Sequence, residues 1–263
     1  MNLKRYYFLL ATIFAIVLIT SSIRNNWNYL KETYHYKTQN LQGDDLNEYA
    51  AFMYYKNIQD RFERRHDEDG DQPTAQDLKI ERWFDQASKQ GSALAKLNLA
   101  VLYQNKGDLK LTNKIFKLLQ ESAELGNADA QFRLGEYYQD GIGVEVDYQK
   151  AKYWYEKSAQ QGNPAGMNNI GVLYQRGLGV EKNEKISTEW YIKSANLGYS
   201  QAMENMTQNY YHGENGLPKD EKKAIEWRKK CSYRTDRIPI QPVFNFKLEK
   251  DEPYPNTCKS TLE

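Results

Sequence analysis

One motif is written twice in succession between Asn127 and Leu197. The second copy follows the first at an interval of thirty-six residues, so that Gly171 repeats Gly135 and Trp190 repeats Trp154. A fixed period of this length is typical of arrays in which each repeat is one small unit that buries its apolar face against its neighbours. The sequence therefore predicts a stack of repeats instead of a single closed core.

Glycines punctuate the array at nearly constant separations. Gly91, Gly126, Gly162 and Gly198 lie 35, 36 and 36 residues apart. Glycine adopts the left-handed conformation that a helix end requires, so each of the four is expected to end one helix and precede the next helix pair. Side chains that can cap the first turn of the returning helix stand at Asp147, Asn183 and Asp220. The spacing thus predicts an all-α fold built of helix pairs.

The repeated pattern is Ala-x-x-Trp-Tyr-x-x-Ser-Ala-x-x-Gly-Asn, then Leu-Gly-x-x-Tyr-x-x-Gly-x-Gly-Val. It resembles the Sel1-like repeat, a relative of the tetratricopeptide repeat. The match is strong over residues 126–198 and fair over 78–231, where the hinge at 106–108 is shortened. The resemblance implies a right-handed α-solenoid of Sel1-like helix pairs that binds other proteins and shares no catalytic residues. We therefore expect a non-enzymatic protein.

The segments outside the array differ from it in composition. Residues 1–24 contain Tyr6–Ile23, an uncharged and mainly apolar run that would measure about 27 Å as a helix, which predicts a transmembrane anchor or a signal segment. Lys4 and Arg5 ahead of this run favour export of the rest, so we expect a protein anchored in the inner membrane with its bulk in the periplasm, or a secreted periplasmic one if the segment is cleaved. Residues 25–77 are predicted to form a spacer and a degenerate capping half-repeat, residues 78–232 the array, and residues 233–263 an extended tail.

The chain has two cysteines, Cys231 at the end of the array and Cys258 in the tail. An even number of cysteines in an exported chain predicts a disulfide, which would fasten the tail to the last repeat. In a reducing cytosol the same residues would be two free thiols.

Charge and motifs argue against several other classes of protein. Thirty-six basic and thirty-five acidic residues leave no basic excess for binding nucleic acid. His35, His66 and His212 lack the spacing of a zinc site, and the acidic run at 66–71 lacks the ligand pattern of a calcium loop. The chain has neither a phosphate-binding loop nor a nucleophile elbow. We expect no metal, no cofactor and no small-molecule substrate.

A protein partner is predicted on the inner, concave side of the first helix of each pair, where residues can vary without harming the core. This wall is apolar at one end and polar at the other, which suits a protein surface. The predicted partner-binding residues are Leu94, Leu97, Val101, Asp129, Phe132, Arg133, Glu136, Asn168, Asn169, Val172, Arg176, Glu204, Asn205 and Gln208. For Leu94, Leu97 and Phe132 the alternative is packing against the neighbouring repeat.

The tryptophans of the returning helices, Trp154 and Trp190, are expected to bury their rings between adjacent pairs. Truncation of either to alanine should then cost about 3–5 kcal/mol of stability. For these residues packing is favoured over stacking on a ligand.

The plan of one export segment and a short Sel1-like array resembles that of bacterial immunity proteins. These hold a delivered antibacterial toxin, such as a phospholipase effector of type VI secretion, in an inactive complex. The first hypothesis is therefore a periplasmic scaffold that neutralises a toxin. The alternatives are an envelope signalling regulator or assembly factor, and a Sel1-type β-lactam-binding enzyme; the last is disfavoured because no repeat here has the pair of cysteines typical of that class.

Overall fold

The structure is a computed structural model that describes residues 42–63 and 75–232. Over these ranges it is all-α, with one short 3-10 turn at Leu109–Leu111 and no strand. The helices are α1 (Gly43–Glu63), α2 (Ala75–Lys89), α3 (Ala93–Asn105), α4 (Thr112–Glu124), α5 (Ala128–Asp140), α6 (Tyr148–Gln160), α7 (Pro164–Arg176), α8 (Glu184–Asn196), α9 (Ser200–His212) and α10 (Glu221–Ser232).

None of the helices in this part of the chain combines the length and the apolar character needed to cross a membrane. The run predicted to be an anchor, Tyr6–Ile23, and the predicted tail at 233–263 lie outside the described residues. Both remain predictions, as do the domain boundaries that depend on them.

Within residues 42–63 and 75–232 the helices stack in chain order as five pairs, α1 with α2 through α9 with α10. Each helix packs mainly against the helix before it and the helix after it. The first helices of neighbouring pairs are also joined by side chains, since Asn98 of α3 donates to Asn47 of α1 at 2.9 Å and Asn205 of α9 donates to Asn168 of α7 at 2.9 Å. This confirms the predicted all-α solenoid, in which each repeat contacts chiefly its neighbours. Its right-handed course stays a prediction.

The helix ends follow the predicted punctuation. Gly91, Gly126, Gly162 and Gly198 have φ angles of +90°, +91°, +85° and +90°, the left-handed region that a helix end requires. The capping side chains accept hydrogen bonds from first-turn amides, at 2.9 Å for Lys150 N–H, 3.0 Å for Ile186 N–H and 3.0 Å for Lys223 N–H. The acceptors are Asp147, Asn183 and Asp220, as the sequence predicts.

A glycine of the first helix makes room for a tyrosine of the second helix in each of the two central pairs. Tyr155 and Tyr191 are both fully buried. A Cβ atom on Gly135 would lie 2.5 Å from Cε1 of Tyr155, and one on Gly171 would lie 2.8 Å from the ring of Tyr191. Only glycine therefore allows the two helices of each pair to approach with the ring between them.

The tryptophans occupy the predicted junctions but are only partly buried. Trp154 packs on the core formed by the first three pairs, and Trp190 packs on the core of the third and fourth pairs. The Nζ atom of Lys193 lies 4.3 Å from the centre of the Trp190 ring. These rings are therefore less buried than predicted, because neighbouring residues of a helix point about 100° apart and it is Tyr155 and Tyr191 that face the interior.

In the second, third and fourth pairs a serine hydroxyl near the end of the second helix bonds the start of the first helix. Ser122, Ser158 and Ser194 donate to the carbonyl oxygens of Ala93, Ala128 and Pro164 at 2.6, 2.7 and 2.6 Å. Cys231 occupies this position in the last pair and is buried. Because Cys258 lies outside the described residues, the predicted disulfide between the two stays a prediction.

Candidate functional site: the first-helix face

The first helices of the third, fourth and fifth pairs, α5, α7 and α9, present one side that the second helices do not cover. We call this side the first-helix face. Asn163, which caps α7, donates to Asp129 of α5 at 2.7 Å, and Asn205 joins α9 to α7. The predicted partner-binding residues that are at least partly exposed on these helices are Asp129, Phe132, Arg133, Glu136, Asn169, Val172, Arg176, Glu204, Asn205 and Gln208. Their binding role remains a prediction.

Three predicted partner-binding residues belong to the interior. Leu97 and Val101 of α3 are 0% exposed, and Asn168 of α7 is 3% exposed. Leu97 and Val101 form one core with Ala50 and Ala51, two buried residues of α1, so that α1 covers the side of α3 on which they were expected to be open. Their assignment to a binding surface is therefore wrong.

Three apolar residues of the set take an intermediate position. Leu94 packs at the edge of the core of the first three pairs, Phe132 lies 6.1 Å from the ring of Tyr155, and Val172 packs on the core of the last two pairs. Part of each side chain is exposed. All three thus pack against the core, at least in part. The exposed part of the first-helix face is formed mainly by polar residues.

A chain of hydrogen bonds fixes the side-chain amides at the centre of the face. Asn205 Nδ2 donates to Asn168 Oδ1, and Asn168 Nδ2 donates to Asn169 Oδ1 at 3.1 Å. Asn169 in turn hydrogen-bonds the Tyr155 hydroxyl, which donates to Gln139 at 3.2 Å. Since every amide is bonded to its neighbour, the orientation of the open ones, Asn169 and Asn205, is set before any partner arrives.

Two carboxyl groups on α5 are shielded from water. The pKa of Glu136 is raised to about 7, chiefly by burial; the Arg133 guanidinium opposes this rise and the nearby Asp140 carboxylate adds to it. Burial also raises the pKa of Asp129, against the lowering effects of Arg133 and of the hydrogen bond from Asn163. The fold therefore holds acidic groups where their charged form is disfavoured, which is commoner at functional sites than elsewhere.

This burial predicts a pH-dependent effect of removing the charge at position 136. Because the pKa is raised from 4.5 to about 7, the folded state holds a proton that the unfolded state has lost between these values, and the free energy of unfolding falls as pH rises through this window. Glutamine imitates the protonated acid. We expect Glu136→Gln to change stability little at pH 5 and to raise it by about 1–3 kcal/mol at pH 8, as measured by urea denaturation.

The matched control is Glu189→Gln on α8, where the side chain is exposed. It removes the same charge from the second-helix side and should have the same small effect at both pH values. Equal effects of Glu136→Gln at pH 5 and pH 8 would contradict the burial of this carboxyl group.

The first and second helices differ in charge in the last three pairs. On α5, α7 and α9 the acidic residues outnumber the basic ones by four to two, whereas on α6, α8 and α10 ten basic residues stand against five acidic ones. The first-helix charges are Asp129, Arg133, Glu136, Asp140, Arg176 and Glu204. The two sides of the stack therefore carry opposite net charge, and the first-helix face is the acidic one.

Over residues 42–63 and 75–232, His, Cys, Asp and Glu side chains form no group of three that could hold a metal ion. The first-helix face is thus composed of fixed amides, shielded acids and partly buried apolar side chains.

The comparison with known families agrees with this architecture. The model of the Sel1 repeat matches residues 128–163, 164–199 and 200–230, which correspond to the third, fourth and fifth helix pairs. Residues 128–230 are thus similar to three successive Sel1 repeats. The three matched Sel1 repeats are the part of the chain that contains the first-helix face, while the first two pairs continue the same helical arrangement with a more divergent pattern.

Solved structures of Sel1 repeat proteins share this fold over part of the chain. A Sel1 repeat protein from Oxalobacter formigenes is 30% identical, with a TM-score of 0.55 over 60% of this chain and 64% of that chain. The protein c5321, a protective antigen of uropathogenic Escherichia coli with an SLR fold, is 32% identical, with a TM-score of 0.53 over 61% of this chain and 34% of that chain. The alignments thus cover less than two thirds of either relative.

A more distant similarity is to the immunity protein Pa5087 from Pseudomonas aeruginosa. The two are 22% identical, with a TM-score of 0.42 over 62% of this chain and 59% of that chain. No curated protein sequence matches the chain at a significant level.

One residue near the shielded acids did not figure in the sequence predictions. Tyr199 is the residue that precedes α9, and its pKa is raised to about 12 by burial and by the charge of the nearby Glu136 carboxyl group. In the preceding repeats this capping position is held by Asn127 and Asn163, whose side chains accept first-turn hydrogen bonds, whereas Tyr199 makes no such bond. The replacement of asparagine by tyrosine at this position is the sequence signal that the residue does not serve as a capping side chain.

Proposed function

We propose that this Sel1 repeat chain is a protein-binding scaffold that holds its partner against the first-helix face. The observation that supports this most is the placement of Glu136 and Asp129, which are shielded from water on an otherwise open surface beside amides of fixed orientation. Shielding a carboxyl group from water lowers the stability of the free protein, and residues that lower stability in this way are commoner at functional sites than elsewhere. A partner that supplies hydrogen bonds and positive charge would interact with both the shielded carboxyl groups and the fixed amides.

The proposal predicts that partner binding depends on the first helices and not on the second. We expect Asn205→Arg, which places a long charged side chain on the face, to reduce the recovery of the co-purifying partner at least tenfold, because a buried mismatch at an interface costs several kcal/mol. The measurement is affinity purification of the full chain from the cells that produce it, with quantification of bound proteins by mass spectrometry.

Lys193→Glu, which changes an exposed charge on α8, is the matched control and should retain the partner. Thermal denaturation of both variants ensures that the fold is intact. Retention of the partner by Asn205→Arg, or an equal loss with Lys193→Glu, would contradict a binding site on the first-helix face.

The narrower form of the proposal is an immunity role, in which the face covers the active site of a secreted antibacterial toxin. Its support is the plan of the chain, a predicted export segment ahead of a short Sel1 array, and it requires the bulk of the protein to lie in the periplasm. Its test is co-expression with the protein encoded by the adjacent gene. The intact chain should protect cells from that protein, and protection should be lost when Phe132 and Glu136 are replaced by alanine and lysine, while the control Lys193→Glu should still protect.

A further inference from the structure

Three lysines recur along the second helices of the last three pairs. Lys157 of α6, Lys193 of α8 and Lys230 of α10 each lie three residues after the tryptophan of their helix, and all three are exposed. We call these residues the lysine row. None of them forms an ion pair with a carboxylate within residues 42–63 and 75–232. The row thus places three charges of one sign at one repeated position of the array.

Each lysine of the row lies over an aromatic ring of its own helix. The Nζ atoms of Lys157, Lys193 and Lys230 are 5.7, 4.3 and 4.1 Å from the ring centres of Tyr153, Trp190 and Trp227. Tyr153 is 52% exposed, and the two tryptophans are partly exposed. An ammonium group stacked on such a ring keeps its charge in solvent, while its methylene stem lies along apolar surface. The row therefore presents cations and aromatic surface side by side.

The charge of the surrounding helices also favours an anionic ligand. The three second helices carry ten basic and five acidic residues, whereas the three first helices carry two basic and four acidic ones. An anionic surface is therefore attracted to the second-helix side and repelled from the first-helix side. Lys150 and Lys223 are paired with the capping residues Asp147 and Asp220, which neutralise part of this charge. The lysine row belongs to the part that is not neutralised.

This combination of residues is typical of a protein surface that contacts a membrane. Tryptophan and tyrosine rings are enriched at the level of the lipid headgroups, and basic residues beside them are attracted to anionic lipid. The exposed Glu189 and Glu226 lie one turn before Lys193 and Lys230. A nucleic acid would bring fixed phosphates against these carboxylates, whereas the mobile headgroups of a mixed bilayer can gather at the lysines and leave neutral lipid beside the glutamates. The charge pattern thus favours a bilayer over a nucleic acid.

We propose that the second-helix side of the array binds the surface of an anionic phospholipid bilayer, with the lysine row against headgroup phosphates and the rings of Tyr153, Trp190 and Trp227 at the headgroup level. This surface is separate from the first-helix face, so the inference goes beyond the proposed scaffold function. Contact on this side turns the first-helix face away from the bilayer, where a protein partner can reach it.

Tryptophan fluorescence in the full chain tests this contact. All samples carry Trp27→Phe, which removes the tryptophan that follows the predicted anchor, Tyr6–Ile23. The vesicles consist of phosphatidylcholine alone or with about 30% phosphatidylglycerol, and both kinds carry bromine atoms on the acyl chains near the headgroup. We expect quenching at least about threefold stronger in the anionic vesicles at about 0.1 M salt, and no difference at about 1 M, where the screening length falls from about 10 to about 3 Å.

Two variants with the same change in net charge locate the contact. The row variant combines Lys157→Glu, Lys193→Glu and Lys230→Glu, and should lower the quenching in anionic vesicles to the level found in neutral ones. The control variant reverses three exposed lysines of the hinges, Lys110→Glu, Lys182→Glu and Lys219→Glu. It should keep most of the quenching, because the hinges lie at the far ends of the second helices from the row. Circular dichroism verifies that both variants are folded.

Equal quenching in neutral and anionic vesicles, insensitivity to salt, or an equal loss in the two variants would overturn the inference. The comparison of vesicles and salt uses neither variant, so it remains decisive even where a variant fails to fold. A row variant that keeps the quenching but loses the co-purifying protein would also contradict the inference, because the lysines would then bind a protein. The scaffold function is tested separately, since the row variant should still recover the partner through the first-helix face.

Discussion

Replacement of Tyr191 by alanine should lower the free energy of unfolding by about 3–5 kcal/mol, which is more than the same change should cost at the adjacent tryptophan. The Tyr191 ring is fully buried between the helices of the fourth pair, while Trp190 keeps part of its ring in solvent beside Lys193. For Trp190→Ala we expect about 1–2 kcal/mol, since less apolar area is returned to water. Urea denaturation followed by circular dichroism measures both.

Tyr191→Phe serves as the matched control. It keeps the ring and removes only the hydroxyl group, which donates to Gln175 at 2.6 Å, and should cost about 1 kcal/mol. A loss at Trp190→Ala equal to or larger than that at Tyr191→Ala would mean that the tryptophan is the principal packing residue of the repeat.

Gly135→Ala should destabilise the chain by about 2 kcal/mol, although alanine is favoured over glycine by about 1 kcal/mol inside a helix. The added methyl group would lie 2.5 Å from the Tyr155 ring, which is itself fully buried and cannot swing into solvent. The second pair shows how the conflict is avoided, since its equivalent positions hold Ala100 and Leu119.

The corresponding double variant, Gly135→Ala with Tyr155→Leu, is therefore expected to recover part of the loss. The two single changes and the double change form a thermodynamic cycle, for which we predict an interaction energy of at least about 1 kcal/mol in the favourable direction. Additive losses would show that the glycine and the tyrosine are not packed against each other.

The periodic glycines and capping residues are enough to predict the helix pairs, because both act within a few residues along the chain. Gly126 and Asn127 end one helix and begin the next through their own backbone and side-chain geometry, without help from distant residues. Contacts between different helix pairs cannot be predicted from such local signals. The burial of Leu97 and Val101 depends on α1, whose own repeat signature is too weak to show where it packs.

The repeat pattern also does not show which of two neighbouring aromatic residues is the buried one. Trp154 and Tyr155 recur together as Trp190 and Tyr191, so periodicity marks both positions equally. The glycine opposite the tyrosine, Gly135 or Gly171, is the sequence signal that separates them, because a wide ring requires a missing side chain on the facing helix. Likewise, the replacement of a capping asparagine by Tyr199 could have indicated its place near Glu136.

The polar residues of the face were easier to place than its apolar ones. Arg133, Asn169 and Asn205 lie at the same position in the three matched repeats, and each is at least partly exposed. Phe132 and Val172 are nearby in sequence but turn partly into the core, as apolar side chains at the edge of a helix contact do. We therefore expect binding at this face to depend mainly on hydrogen bonds and charge, with the partly buried apolar residues contributing less.

Site-specific photo-crosslinking tests most directly whether the first-helix face is where a partner binds. A photoreactive phenylalanine analogue placed at Asn205 or at Lys193 in the full chain samples the two sides of the stack in living cells. The account predicts a crosslinked protein from position 205 and none from position 193. A crosslink from position 193 alone, or none from either position in cells where the partner co-purifies, would contradict it.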